Sequence, residues 1–211
     1  MERAFLAVNE HMLPLRVLGG AVVVLLLLRI LNPTSAVLYC ANAGDSRAVL
    51  CRDRRAVRLS RDHKPFDLDE YERIQALGGF ISLRDGGRVC DDLALTRALG
   101  DFHLARYVEP RAHLHFETLD LQDCPFVTVC CDGVSDVLSD QEVVDAVLAQ
   151  ATATWRHRAP QILPSPRRAL TLPCVAQAPD LTRGASALRD LAFVHGSTDN
   201  ISALVVDLTG V

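Results

Sequence analysis

The stretch from Val17 to Leu28, "VLGGAVVVLLLL", restricts the fold more than any other part of the chain. Its twelve uncharged residues lie between Arg16 and Arg29. A membrane-spanning helix needs about 20 such residues. A secretory signal would continue into a small-residue cleavage site, where this chain has Arg29 and Asn32-Pro33. The β-branched and Leu run from Ala21 to Leu31 is therefore expected to be a strand buried on both faces, with a marginal membrane anchor as the alternative. Burying such a strand requires a substantial core. A chain of 211 residues, 49% hydrophobic and 23% charged, can build one within a single domain or slightly more.

Other elements follow from pattern and punctuation. Residues 2–13 suit a short helix. Ala36–Asn42 and Arg47–Arg52 read as strands joined by the turn Ala43-Gly44-Asp45-Ser46, which with the first run suggests an antiparallel meander. Asp67–Leu77 reads as a helix with Asp67 and Glu70 at capping-box spacing, an apolar stripe of Tyr71, Ile74 and Leu77, and a stop at Gly78-Gly79. Phe126–Cys131 is a core strand. Ser139 and Glu142 form a capping box for a helix running to about Thr152. The stretch 155–183 is rich in proline and arginine and reads as an insertion. A helix over Ala185–Val194 and a strand over Ile201–Leu208 close the chain. Strands and helices without regular alternation give an α+β class.

A net charge of −4 gives no support for nucleic-acid binding. The seven cysteines are odd in number and contain no C-x-x-C pair. That points to a reducing compartment, with cytoplasm or nucleus as the default, and to neither a disulfide framework nor a zinc site.

Three carboxylates share one context. Asp45 in "NAGDSR", Asp132 in "CCDGVSD" and Asp199 in "STDNIS" each stand where an apolar strand meets a polar turn. Rigid sheet ends presenting carboxylates suit hard divalent ions such as Mg²⁺ and Mn²⁺. Read singly, each is also an ordinary turn residue. Intervals of 87 and 67 residues do not by themselves bring the three together. "CDG" differs in one respect: a capped helix follows it, where Asp-Gly between two strands would form a hairpin.

Six blocks in order resemble the metal-dependent protein serine/threonine phosphatases, the PPM or type 2C class. They are "LYCANAGDSRAVLCR", "LSRDHKPFDLDEYERIQALGGFI", "RVCDDLALTRALGDFHL", "VEP", "FVTVCCDGVSDVLSDQEVVDAV" and "GSTDNISALVV". The resemblance covers about residues 19–208, leaving 1–18 as an N-terminal segment. It implies a β-sandwich of two antiparallel sheets flanked by helices. It also implies metal ligation by Asp45, Asp132 and Asp199, supported by Gly133 and Asn200, with Gly133 leaving room for an ion. Mg²⁺ or Mn²⁺ would activate a water for attack on phosphoserine or phosphothreonine in phosphorylated proteins.

The pattern also departs from the family. The upstream Arg, Glu-Asp and Asp-Gly-His-Gly-Gly blocks that the resemblance implies do not occur in these residues. Gly-Ser-Thr-Ala is shortened to Gly19-Gly20-Ala21, Asp91 replaces a usual Gly, and Ser135 replaces a usual aromatic. The expectation is a sandwich incomplete at its N-terminus, with impaired hydrolysis and no catalytic side chain retained. Its unpaired strand would offer a route to self-association. A non-catalytic binding module is the alternative function, and a missed upstream exon a third explanation.

Overall fold

The computed structural model describes residues 1–15, 18–158, 181 and 183–209. Helix α1 (Glu2–Met12) leads through the short strand β1 (Gly20–Ala21) into β2 (Val23–Asn32), β3 (Ser35–Ala43), β4 (Arg47–Arg52) and β5 (Arg55–Arg58). Helix α2 (Leu68–Ala76) precedes the short strands β6 (Ile81–Ser82), β7 (Arg88–Val89) and β8 (Leu99–Gly100). The chain then forms β9 (His113–Asp120), β10 (Phe126–Cys130), α3 (Asp132–Ser135), α4 (Asp140–Arg158), α5 (Gly184–Val194) and β11 (Ala203–Asp207).

Two antiparallel sheets, ordered β11-β10-β4-β5 and β2-β3-β9, form the expected sandwich. Period-two alternation supplies the interior. Ala36, Leu38 and Cys40 of β3 meet Ala48 and Leu50 of β4 and Val127 of β10. On its other face the four-stranded sheet presents Val49, Cys51 and Phe126 to Val143, Val144 and Val147 of α4 and to Leu188 and Ala192 of α5. The α4 N-terminus carries the expected capping box. Glu142 Oε2 accepts from the Ser139 amide at 2.8 Å and from its hydroxyl at 2.7 Å, and Ser139 Oγ accepts from the Glu142 amide at 3.3 Å. The helix continues past Thr152 to Arg158, so residues 155–158 of the expected insertion extend it. Most of the remaining insertion, 159–180 and 182, lies outside the described residues.

Four expectations need correction. The run at β2 is not buried on both faces. Val24, Leu26 and Leu28 pack into the interior, while Leu25 and Leu27 are 41% and 54% exposed. β2 is an edge strand; α1 covers the Ala41–Ala43 end of the outer face through Phe5, while further along that face Leu25, Leu27, Leu114 and Phe116 stay exposed. Nor do β2, β3 and β4 make a meander. β2 pairs with β3, but β4 belongs to the opposite sheet, and the turn 43–46 crosses between them. The Asp67–Glu70 pair does not cap α2. Asp67 makes no capping hydrogen bond and binds Arg61 instead, while Glu70 is buried between two arginines. Of the stripe on α2 only Ile74 is fully buried; Tyr71 and Leu77 are each 37% exposed. Asp91 stands at φ +64°, the left-handed backbone that Gly adopts freely and Asp tolerates better than most residues.

Among the described residues no helix is long and apolar enough to cross a membrane. The exposed β2 face gives a first prediction. Leu27→Lys should change stability by less than about 0.5 kcal/mol in urea unfolding, whereas Leu50→Ala, at 0% exposure, should cost about 2–5 kcal/mol.

Candidate active site

The crossing from β3 to β4 creates the site's first corner. Gly44 holds φ +109°, and a Cβ there would lie 2.3 Å from Val22 Cγ1, so the turn needs glycine on both counts. The Gly44 carbonyl accepts from the His63 amide at 3.1 Å, and Nδ1 of the His63 ring lies 2.9 Å from the same oxygen. Asn42 braces the strand end: its amide donates to the Arg61 carbonyl at 2.6 Å and its Oδ1 accepts from the Arg61 amide at 3.2 Å. Asp45, next in the chain, is only 6% exposed.

The second corner is the end of β10. Cys131 ties it to the loop before β11. The Cys131 amide donates to the Ser202 carbonyl at 3.1 Å, and its Sγ lies 3.0 Å from the Asn200 carbonyl and 3.1 Å from the Ser202 amide. Asp132 opens α3 and accepts from the Gly133 amide at 2.8 Å. A Cβ at Gly133 would meet the Asn200 carbonyl oxygen at 2.3 Å and the Asp199 Cβ at 3.5 Å. Gly133 therefore leaves room for the neighbouring backbone. The group of Asn200 that reaches this contact is its main-chain carbonyl. Asp199 sits beside the same point, exposed, and accepts from the Asn200 amide at 2.6 Å.

Electrostatics link the corners. Burial, then the Asp132 charge, raises the Asp45 carboxyl to about 6; Lys64 opposes the rise and Asp136 adds to it. Lys64 forms an ion pair with Asp136. Sequence reading missed both residues. Asp136 follows Asp132 by four positions on a helical turn, with its amide donating to the Asp132 carbonyl at 2.8 Å, so helical spacing was the available signal. Lys64 comes from the "DHKP" segment, which a one-dimensional pattern does not place.

Arg47 holds the two corners in register. Its guanidinium binds Asp62, reaches Asp140 at 3.0 Å and donates to the Ser135 carbonyl at 3.4 Å. One cation thus ties β4, the segment before α2 and the turn into α4. Ser135, where an aromatic was expected, is itself 8% exposed, so no core surface is uncovered there, although its hydroxyl has no partner among the described residues.

The donor set suits a hard cation, since clustered carboxylate oxygens lose their repulsion when one binds. Among the described residues no group of three or more His, Cys, Asp or Glu side chains is arranged to hold a metal ion. Mg²⁺, however, commonly takes one or two carboxylates and completes its shell with water. Asp45 and Asp132 fit that demand.

A family-wide sequence profile described as protein phosphatase 2C matches residues 5–201. The chain belongs to the protein phosphatase 2C family. It is 39% identical over 178 residues to protein phosphatase 2C homolog 1 of Schizosaccharomyces pombe, covering 84% of this chain and 42% of that protein. To probable protein phosphatase 2C 6 of Oryza sativa it is 37% identical over 174 residues, covering 82% of this chain and 36% of the relative. The chain thus spans less than half the length of either. Among solved structures, a phosphatase from Toxoplasma gondii superposes with a TM-score of 0.73 at 21% identity, over 97% of this chain and 72% of that one. A C. elegans sex-determining protein gives 0.74 at 22% identity, over 98% of this chain and 46% of that one. At these identities the structural likeness concerns the fold. The phosphatase 2C match begins at residue 5, within α1, whose Phe5 packs against Ala41 and Ala43 at the β3 end that leads to Asp45.

Proposed function

We propose that the chain is a metal-dependent protein serine/threonine phosphatase that hydrolyses phosphoserine and phosphothreonine in phosphorylated proteins. Asp45 and Asp132 would hold Mg²⁺ or Mn²⁺, with Asp199 on the adjoining loop as the candidate third ligand. The protein phosphatase 2C family is metal-dependent and acts on phosphoproteins. The observation that carries the reading is the buried Asp45 carboxyl at a corner between the two sheets, raised by burial and by the charge of the nearby Asp132, in a chain of that family. When bound, the cation neutralises phosphate charge and lowers the pKa of a bound water. The chain's own contribution is placement. Asp45 is fixed through the Gly44 turn, Asp132 through the Cys131–Ser202 links, and Lys64 keeps Asp136 and its neighbours from repelling without compensation.

Purified protein with a phosphothreonine peptide tests this. Hydrolysis should require Mn²⁺, and Asp132→Asn should lower it by at least about tenfold, the equivalent of ~1.4 kcal/mol of barrier.

A second reading, a binding module without turnover, is favoured by the lack of a three-ligand group among the described residues. Phosphopeptide binding that survives EDTA and Asp132→Asn, with no hydrolysis, would establish it in place of the first.

A further inference from the structure

We propose that His63 is a positioning residue for Asp45, acting through the Gly44 peptide. The inference rests on the reading of Asp45 as a metal ligand. The His63 ring is fully buried, at 0% exposure. Its Nδ1 lies 2.9 Å from the Gly44 carbonyl oxygen and 3.3 Å from the Gly44 amide nitrogen. The two contacts exclude each other, because Nδ1 accepts from the Gly44 amide only when bare and donates to the Gly44 oxygen only when protonated. The proposed positioning role uses the shorter one, with Nδ1 protonated and donating. Nε2 is then a bare acceptor, and it has no partner among the described residues.

The geometry has a direct consequence. In a trans peptide the carbonyl and the following N–H point in opposite directions, and among the described residues no peptide bond is cis. Anchoring the Gly44 oxygen on His63 therefore aims the Asp45 amide the other way and fixes the peptide from which the Asp45 side chain departs. Two donors of one residue, the His63 main-chain amide at 3.1 Å and its imidazole, grip the same oxygen. Asn42 adds a third donor at 3.3 Å.

A side chain present only to fill space at this depth would be apolar. The fold instead keeps an imidazole with one nitrogen unsatisfied, a group that buried sites normally exclude. Its neighbours reinforce the same corner. The Arg61 backbone is clamped by Asn42, Asp62 by Arg47, and Lys64 by Asp136. Residues 61–64 thus form a strut between the turn carrying Asp45 and the turn carrying Asp132.

The test measures Mn²⁺ affinity by calorimetry for the whole chain and for Asp45→Asn, His63→Leu and His63→Asn, with thermal unfolding of each. The asparagine amide can reproduce the Nδ1–H donor; leucine cannot. His63→Leu should weaken Mn²⁺ binding about tenfold or more, as loss of outer-shell partners does, and His63→Asn should remain within about threefold. Should His63→Leu fail to fold, His63→Gln, whose amide overreaches the Nδ1 position, replaces it with the same expectation. The ¹⁵N spectrum of the imidazole should show a neutral ring protonated at Nδ1. Equal losses in His63→Asn and His63→Leu, unchanged binding in both, or an Nε2–H ring would overturn the positioning role. If the unsubstituted chain binds no Mn²⁺, or if Asp45→Asn binds it as well as the unsubstituted chain, it is the metal-site reading that fails.

Discussion

Glu70→Ala is expected to remove about 3–5 kcal/mol of stability at pH 7, the range for breaking a buried ion pair by deleting one partner. Glu70 is 1% exposed and stands between two cations. Oε2 accepts from Arg73 Nη2 at 2.8 Å, and Oε1 accepts from Arg97 Nε at 3.0 Å. Both arginines also bind main-chain carbonyls: Arg73 those of Thr96 and Tyr107, Arg97 that of Arg111. Removing the carboxylate would leave two guanidinium groups whose nearest remaining acid is Glu109, at 3.9 and 3.7 Å. Burial raises the Glu70 pKa, but the hydrogen bonds and charges of Arg97 and Arg73 outweigh it and bring the carboxyl from 4.5 down to about 2. At 1.36 kcal/mol per pH unit that difference corresponds to about 3 kcal/mol.

The sign follows from linkage. A depressed carboxyl pKa contributes stability that is present above 4.5 and lost as pH falls through about 2. Denaturant unfolding of wild type and Glu70→Ala should therefore differ most near neutral pH and converge as pH approaches 2. A difference that stays constant over this range would show that packing, not charge, sets the loss. His63 adds a separate slope. Burial, then the Arg97 charge, lowers its pKa from 6.5 to about 4, so its contribution is complete above 6.5 and disappears by about 4.

Glu70 also shows where sequence legibility stopped. Its spacing from Asp67 matches a capping box, and the rule is local. The partner that decides its role, Arg97, is 27 residues away. Elements governed by local chemistry were readable: the Ser139 cap, the strand before Asp132 and the helix over 184–194. The passage of β3 into the opposite sheet was not, because a Gly-Asp-Ser turn serves a hairpin and a sheet-to-sheet crossing equally well. What separates the two is Val22 packed against Gly44 and the Asn42 clamp on Arg61. The same holds at the site. Asp45, Asp132 and Asp199 were recognisable by their strand-end context, but Lys64 and Asp136 join them only in three dimensions. The apolar run at β2 misled for a related reason. Hydrophobic content on both faces does not reveal that one face is covered only at the end where α1 packs.

Gly133→Ala is expected to disrupt the candidate site by the addition of a single methyl group. Its Cβ would stand 2.3 Å from the Asn200 carbonyl oxygen and 3.1 Å from its carbonyl carbon, distances that side chains do not adopt. The obstacle is main chain, held by the Cys131 contacts on one side and by β11 on the other, so no flexible side chain can swing clear. Either the loop at 199–201 moves outward or the start of α3 turns. Both responses separate Asp199 from Asp132. Overpacking of this kind costs about 1–3 kcal/mol, and Mn²⁺ affinity should fall with it, because displaced ligands lose more than the strain alone. Gly19→Ala is the control. A Cβ there meets nothing within 4 Å and Gly19 has no positive φ, so stability and Mn²⁺ affinity should both be unchanged. Gly133→Ala losing stability while keeping full Mn²⁺ affinity would detach the 199–201 loop from the metal site. Loss of both would join Asp199 to the pair formed by Asp45 and Asp132.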